Sequence, residues 1–236
     1  MTYLSVVIPI HNEEEILESE IRALLPALDA ALKRGDYEVL LVENGSSDKT
    51  SDIAAELVRS YPKIRVISME KPDYGGAMKE GILQSKGKYT AIFNIDFWDI
   101  EALKKALHLF ENEDKDVVVC SKTMKGSRDT RSLKRRIITR SFNLVLRVFF
   151  GYKGTDTHGI KFFRTARIVP IVRKCWTGGG MLDTEFLLRS QYDGLNMSEI
   201  PVVCVEKEKR KSFFGVAKHG PGVLRDLAKL FAELRL

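Results

Sequence analysis

Acids and amides gathered at the ends of apolar runs are the first sign of chemistry in this chain. Ser5-Val6-Val7-Ile8-Pro9-Ile10 leads straight into His11-Asn12-Glu13-Glu14, and Val39-Leu40-Leu41-Val42 into Glu43-Asn44-Gly45-Ser46. Each is a β-branched run that stops abruptly at polar residues and is followed by a helical pattern. Parallel strands that carry a site at their C-terminal tips read this way. In open α/β sheets, ligands bind in the crevice beyond those tips. Asn12-Glu13 and Glu43-Asn44 are therefore expected to face one pocket. A further run, from Tyr89 to Ile95, ends in the carboxylate Asp96, a candidate ligand for a divalent cation.

Basic residues supply the complementary charge. Residues 122–140 hold Lys122, Lys125, Arg128, Arg131, Lys134, Arg135, Arg136 and Arg140 against one acid, Asp129. A second block gathers around Lys207, Lys209, Arg210, Lys211 and Lys218. Such clusters fit a phosphate-bearing ligand or an anionic lipid surface, although a solvated helix face is the plainer alternative for any one of them. Nucleic acid is disfavoured as a partner, because the clusters lack interleaved aromatics and flank a pocket signature.

The elements that must position these residues alternate. Strand 3–10 is followed by a helix over about 13–33, with Leu17, Ile21, Leu24, Leu25, Leu28 and Leu32 as its apolar stripe. Strand 37–43, a helix over 49–60 capped by Asp48, and strand 63–67 come next. Gly75-Gly76 opens a helix to Lys86, then strand 89–96, helix 101–112 and strand 117–120 complete the series. This order predicts an α/β fold, a mostly parallel sheet covered by helices. The second half is less regular. It reads as a basic amphipathic helix over 131–150, a strand over 158–164, helices over 167–174 and 183–192 around the hinge Gly178-Gly179-Gly180, strand 200–205 and a tail helix over 221–236. No linker, repeat or low-complexity stretch divides the chain, so a single domain is expected.

Composition agrees. A chain of 236 residues, 44% hydrophobic and 30% charged, suits one globular domain with a substantial core. Cys120, Cys175 and Cys204 have no metal or redox spacing and read as buried thiols of a reducing compartment. The sequence starts on a strand, and no run approaches the roughly 18–20 apolar residues that span a bilayer. A cytoplasmic protein, soluble or peripheral on the cytoplasmic face of a membrane, is expected. Two apolar faces beside basic residues, 133–150 and the tail helix, could rest on an anionic membrane. Packing on the core is the expectation for the tail; 133–150 is open between the two.

Taken together, the two tip segments resemble the family 2 glycosyltransferases of the GT-A, Rossmann-like fold. There the first motif reads close to V-I-P-x-Y-N-E-E and the second close to V-D-D-G-S-x-D-x-T. The likeness runs along nearly the whole chain and is greatest to the polyprenol-phosphate sugar synthases, such as the dolichol-phosphate mannose synthases. It implies a nucleotide-sugar half over about 1–122 and an acceptor half over about 123–236. Pro9, His11, Asn12, Glu13, Glu43, Asn44 and Gly45 match nucleotide-facing positions, with His11 where Tyr is common and Glu43 where Asp is. Tyr74-Gly75-Gly76-Ala77-Met78-Lys79-Glu80-Gly81 resembles a G-x-G-x-A-x-x-x-G region, which adds Gly76 and Lys79. Glycine there lets a helix N-terminus approach a ligand or a strand closely. Asn94-Ile95-Asp96 stands where the family carries Asp-x-Asp. Asp96 keeps the metal-ligand position, for Mg²⁺ or Mn²⁺, and Asn94 replaces the first carboxylate. Asp99 is out of register and reads equally as a helix N-cap.

On the acceptor side, Ser121-Lys122 falls where these synthases have Gly-Ser-Arg. Arg135, Thr139, Arg140 and Asn143 follow their R-x-x-x-S-R-x-x-N stretch, with Thr in the Ser position. The resemblance makes Lys122, Arg135 and Thr139 a cradle for the lipid phosphate, with chemistry suited to it. Asp156-Thr157-His158-Gly159-Ile160-Lys161 resembles a D-x-x-x-G-x-K segment near the acceptor, and Asp183-Thr184-Glu185 a D-x-E stretch lining the site. Glu199-Ile200-Pro201-Val202 resembles the E-x-P-V strand, and Lys211-Ser212 the basic-Ser loop over the donor diphosphate. His158 and His219 read as structural. Asp96, Asp156, Glu185 and Lys211 are the candidate catalytic residues. The resemblance implies inverting transfer of a sugar from a nucleotide-diphosphate donor, GDP-mannose or a UDP-sugar, to a polyprenyl or dolichyl phosphate. A phosphate monoester is already ionised near neutral pH, its second pKa being about 6. Alignment and charge screening can then replace a strong general base. Two alternatives stay open: a family 2 enzyme that extends a polysaccharide or glycolipid at a sugar hydroxyl, with Asp156 or Glu185 as base, and a nucleotide-sugar-binding homologue impaired by Asn94. A membrane-anchored partner subunit is a further candidate.

Overall fold

The most apolar runs of the sequence form the middle of a sheet. β1 (Leu4–Ile10) and β2 (Tyr37–Asn44) are buried at every residue and mostly apolar because helices cover both faces, and the buried Ser5 and Glu38 hydrogen-bond to each other. The computed structural model describes residues 2–32, 36–204 and 216–235. β1 pairs in parallel with β2, β2 with β3 (Ile64–Met69), and β1 on its other side with β4 (Tyr89–Ile92). β5 (Val117–Ser121) belongs to the same sheet, while β6 (Arg128–Asp129) makes a separate two-residue ladder. β7 (Lys161–Arg164) runs antiparallel between β4 and β5, and β8 (Met197–Pro201) runs parallel to β5. The order of the seven-stranded sheet is β3-β2-β1-β4-β7-β5-β8, and β9 (Val203–Cys204) pairs with β6. The order reverses at β1, whose neighbours are β2 and β4. That switch point opens the crevice in which α/β sheets bind ligands.

Eight helices are described: α1 (Leu17–Ala31), α2 (Thr50–Ser60), α3 (Tyr74–Gln84), α4 (Ile100–Asn112), α5 (Leu133–Phe150), α6 (Thr165–Lys174), α7 (Met181–Tyr192) and α8 (Val216–Arg235). α1, α2 and α4 build one core with the sheet. α3, α6 and α7 build the other, joined by the buried Leu146 and Phe150 of α5 and Leu227 and Leu230 of α8. β7 shows the alternation that serves both: Phe162 points into the first core and Phe163 into the second. Each fully buried phenylalanine contributes about 1.5–3 kcal/mol.

The strand expected over 200–205 is split into β8 and β9, and α7 and α8 start earlier than expected, at Met181 and Val216. Three further boundaries differ for a local reason. α1 starts at Leu17, not near Glu13, because the Glu13 amide donates to Thr50 Oγ1 and holds residues 13–16 in a turn. β4 stops at Ile92, and Asn94 and Phe97 then exchange backbone hydrogen bonds that close a tight turn over Asp96. β7 starts at Lys161, not 158, because Asp156 and Gly159 hold the preceding turn against β5. Gly159 is needed there: a Cβ on it would stand 1.7 Å from the Cys120 carbonyl oxygen.

Gly159 and Gly194 separate two reasons for glycine. Gly194 has φ +74° with open space around its missing Cβ, so an alanine there meets only backbone strain. Gly194→Ala should cost about 1 kcal/mol. Gly159→Ala must push β5 and the 156–160 turn apart and should cost about 3 kcal/mol or more. Urea unfolding of the two variants beside the wild type checks the contrast; equal midpoints would contradict it.

Candidate active site

The tips of β1 and β2 are zipped together by their own polar residues. His11 Nδ1 donates to the Asn44 carbonyl at 2.8 Å, and the Asn12 side-chain oxygen accepts from the Ser47 amide at 2.8 Å. Asn12 adopts φ +53°, a left-handed turn that asparagine tolerates. Its amide donates to Ser46 Oγ, and the next amide, Glu13, to Thr50 Oγ1. Glu43 is buried and accepts from the Ser46 amide at 2.6 Å. Asn44 Oδ1 accepts from the Asp73 amide at 2.7 Å, which ties β2 to the start of α3. Gly45 has φ +62°, and a Cβ there would press on Lys71 and Pro72 at 3.1 Å. Pro9 is buried inside β1. The structure thus brings Pro9, His11, Asn12, Glu13, Glu43, Asn44 and Gly45 together at the tips of β1 and β2.

The glycines at the head of α3 act on a neighbouring loop. A Cβ on Gly75 would lie 2.6 Å from the Gly179 carbonyl oxygen, and Asp73 Oδ1 accepts from the Gly179 amide at 2.8 Å. Gly76 is tight against Asp73 instead. Lys79 has a task remote from the strand tips: its ammonium donates to the Cys175 carbonyl at 2.5 Å, at the end of α6.

Past β4, the turn 94–97 carries Asp96. Asp96 is half-buried, and the Tyr74 hydroxyl reaches Asn94 Oδ1 at 3.4 Å. Desolvation, and then the negative charges of Asp183 and Asp96, push the Tyr74 phenol well above its ordinary pKa. Asp99 is the N-cap of α4, accepting from the Ala102 amide at 2.9 Å, so the capping role is the one it fills. No group of three or more His, Cys, Asp or Glu stands ready to cage a metal among the described residues. The donors present fit a cation that arrives with its ligand. Mg²⁺ is usually held by one or two carboxylates and otherwise by substrate phosphates and water. Asp96, with the Asn94 amide oxygen beside it in the turn, offers that set.

The acceptor side is built on buried ion pairs. Asp156 is fully buried. Its Oδ2 takes the Lys122 ammonium at 2.9 Å and the Lys122 amide at 3.0 Å, while Oδ1 takes the His158 amide at 3.0 Å. Burial alone would raise the pKa of this carboxyl. The Lys122 charge and these hydrogen bonds outweigh it and hold Asp156 at about 2. Lys122 also donates to the His158 carbonyl, so its ammonium faces Asp156 rather than open solvent. A parallel pair joins Lys161 on β7 to Asp183 at the head of α7, at 2.6 Å, both buried. Glu199 on β8 accepts from the Thr155 amide and hydroxyl, both at 2.7 Å, and so fixes the loop before Asp156.

Two expected residues sit differently. Glu185 is fully buried and takes the Trp176 amide, the Thr177 amide and the Thr177 hydroxyl on one oxygen and Arg189 on the other. It ties the 176–180 loop to α7 and is not aimed at a substrate as a base. Thr139 donates to the Arg135 carbonyl within α5 and accepts from Arg131, which is itself paired with Asp129. Arg135 and Thr139 lie near the head of α5, and the charge of Asp156 bears on Arg131 beside them. Lys211 lies outside the described residues. Asp183 and Lys161 were legible only as members of motifs; their pairing depends on the sheet order that puts β7 beside α7. The Glu199 contact with Thr155 likewise spans elements far apart in sequence.

Comparison with known proteins follows the same lines. A family model described as Glycosyl transferase family 2 matches residues 5–170. The dolichyl-phosphate beta-glucosyltransferase of Homo sapiens is 30% identical over 224 residues, covering 88% of this chain and 69% of that protein. Glycosyltransferase AglD of Haloferax volcanii is 27% identical over 202 residues, covering 84% of this chain and 32% of that protein. The chain thus spans about a third of AglD and about two thirds of the glucosyltransferase. Among solved structures, glucosyl-3-phosphoglycerate synthase from Mycobacterium tuberculosis, in complex with Mn²⁺, UDP-glucose and phosphoglyceric acid, superposes with a TM-score of 0.68 at 16% identity. It covers 99% of this chain and 80% of that one. The likeness establishes the GT-A fold.

The Lys122–Asp156 pair carries a stability prediction. With Asp156 at about 2 when folded and about 3.9 when unfolded, its contribution is fully present above about pH 4 and is lost as pH falls toward 2. Roughly 2–3 kcal/mol is at stake across that window. Asp156→Asn leaves Lys122 buried without its counter-charge and should cost about 3–5 kcal/mol at pH 7. Its stability should also fall less steeply between pH 4 and 2 than that of the wild type. Denaturant unfolding at pH 7, 4 and 2.5 checks both; an unchanged pH slope would contradict the assignment.

Proposed function

We propose that this chain, which belongs to glycosyl transferase family 2, moves glucose from UDP-glucose to a polyprenyl or dolichyl phosphate with inversion at the anomeric carbon. The observation that carries the reading is the state of the acids on the acceptor side. Asp156 is bound to Lys122, Asp183 to Lys161, Glu185 to Arg189 and Glu199 to Thr155. A sugar hydroxyl needs a base to become a good nucleophile, and a carboxylate held at about 2 is a poor one. A phosphate acceptor needs none, being largely dianionic at neutral pH with its second pKa at about 6.

In this reading residues 1–122 hold the donor and residues 123–236 the acceptor. Pro9, His11, Asn12, Glu13, Glu43, Asn44, Gly45 and Gly76 border the nucleotide, and Lys122, Arg135 and Thr139 border the acceptor phosphate. An acceptor oxygen attacks the anomeric carbon as the bond to the diphosphate breaks, and the nucleoside diphosphate leaves with the bonding electrons. A divalent cation held by Asp96 and Asn94 would offset the charge that collects on the leaving diphosphate. The buried pairs hold the strand tips rigid, so alignment needs little reorganisation. Glucose is preferred over the mannose first expected, because the human relative, matched over 88% of this chain, is named a dolichyl-phosphate beta-glucosyltransferase. UDP is preferred over GDP because a protein of the same fold was captured with UDP-glucose and Mn²⁺.

A transfer assay tests the proposal. Purified protein with a short polyprenyl phosphate, Mg²⁺ or Mn²⁺ and UDP-glucose or GDP-mannose is scored for lipid-linked hexose by mass spectrometry. Product from UDP-glucose is expected, and Asp96→Asn should lower the rate by roughly a hundredfold or more at unchanged melting temperature. Product from GDP-mannose alone, or from neither donor, overturns the substrate assignment.

A further inference from the structure

α5 carries apolar residues on two faces. Asn143, Leu146 and Phe150 are buried on the side that meets the protein. Leu133, Ile137, Leu144, Val148 and Phe149 are 54–68% exposed. At about 100° per residue, Leu133, Ile137, Leu144 and Val148 fall within an arc of about 60°, roughly opposite the buried face. A helix of a soluble domain turns such a stripe toward the core. Single exposed leucines are ordinary, but a row four turns long is not. The same projection sets Arg136, Arg140 and Arg147 along one flank of the row and Lys134 along the other. The helix holds five cations and no acid: Lys134, Arg135, Arg136, Arg140 and Arg147. At its C-terminal end, Phe149 meets Phe231 of α8 edge-on, with ring centroids 6.5 Å apart. Phe231 and Leu224, seven residues apart on one face of α8, are also exposed.

We propose that the outward face of α5 docks on an anionic lipid surface. The aliphatic row enters the boundary between headgroups and acyl chains, and the flanking arginines meet headgroup phosphates. Charge selects this occupant. A second copy of the chain would lay one acid-free cationic helix against another, in a protein whose net charge is already +6. The docking rests on exposure and charge. Its use rests on the lipid-phosphate reading, since it would hold the acceptor half at the surface where such a phosphate is found.

Flotation of the full chain with vesicles tests the proposal, using phosphatidylcholine alone and phosphatidylcholine mixed with phosphatidylglycerol. Binding to the mixed vesicles is expected, weakening as salt rises. The double variant Leu144→Gln/Val148→Gln should reduce partitioning by about tenfold or more. Arg136→Gln/Arg147→Gln should remove the preference for the anionic lipid. Neither should change the melting temperature or the transfer rate to a short acceptor in free solution. Failure of the wild type to float with mixed vesicles, or flotation unaffected by both variants, overturns the docking. So does a dimer, seen by ultracentrifugation, that the Leu144/Val148 variant abolishes while vesicles are ignored. The soluble-acceptor assay keeps the two readings apart. Loss of flotation with transfer intact removes only the docking surface, and loss of transfer with flotation intact removes only the activity.

Discussion

Asp156 has no access to solvent, so its charge has to be met inside the protein, and Lys122 meets it. Much of the acceptor side is arranged around that need. Lys122 follows the tip of β5, and its backbone and side chain both reach the carboxylate. The loop before Asp156 is held by Glu199 from β8, and the loop after it by the hydrogen bond that the Asp156 side chain accepts from the His158 amide. Gly159 then lets the chain slide under the Cys120 carbonyl into β7. A few residues on, Lys161 repeats the solution with Asp183. Two buried pairs thus connect β5, β7, α7 and the turn beyond Asp156. A buried pair of this kind adds little net stability over apolar packing, but losing one partner is costly. Its value here is positional: it fixes charged side chains beside the crevice at the strand tips.

The donor side uses hydrogen bonds to backbone amides, not ion pairs, for the same end. Asn12, Glu13, Asn44 and Asp73 link the tips of β1 and β2 to α2 and α3, and Asp73 reaches on to the Gly178-Gly179 loop before α7. α7 in turn carries Asp183 and Glu185, so donor floor and acceptor wall share one scaffold. Tyr74 stands where they meet, close to Asn94 and under the influence of Asp96 and Asp183.

The parallel half of the fold was readable because strands buried on both faces are mostly apolar, and the cores of β1 and β2 are. The tip residues were readable for the converse reason: each apolar run ends at one sharp polar boundary. What the sequence hid depends on contacts between distant elements. The antiparallel course of β7 follows from its insertion between β4 and β5, which no local pattern encodes. Lys79 looked like part of a glycine-rich ligand loop, yet in space it caps α6. Glu185 looked like a base beside Asp183, yet two residues along α7, about 200° round the helix, carry it into the loop at Trp176 and Thr177. On α5 the apolar periodicity was plain, but only the packed structure tells which apolar face is covered.

The account turns on an acceptor that brings its own charge. The most direct measurement is the pH dependence of kcat/KM, with a short polyprenyl phosphate and with the unphosphorylated polyprenol. The account predicts a rise governed by one ionisation near the second pKa of the acceptor phosphate, at about 6, a plateau above it, and no transfer to the alcohol. Transfer to the polyprenol, or a profile whose inflection moves when Asp183 or Glu185 is replaced, would contradict it.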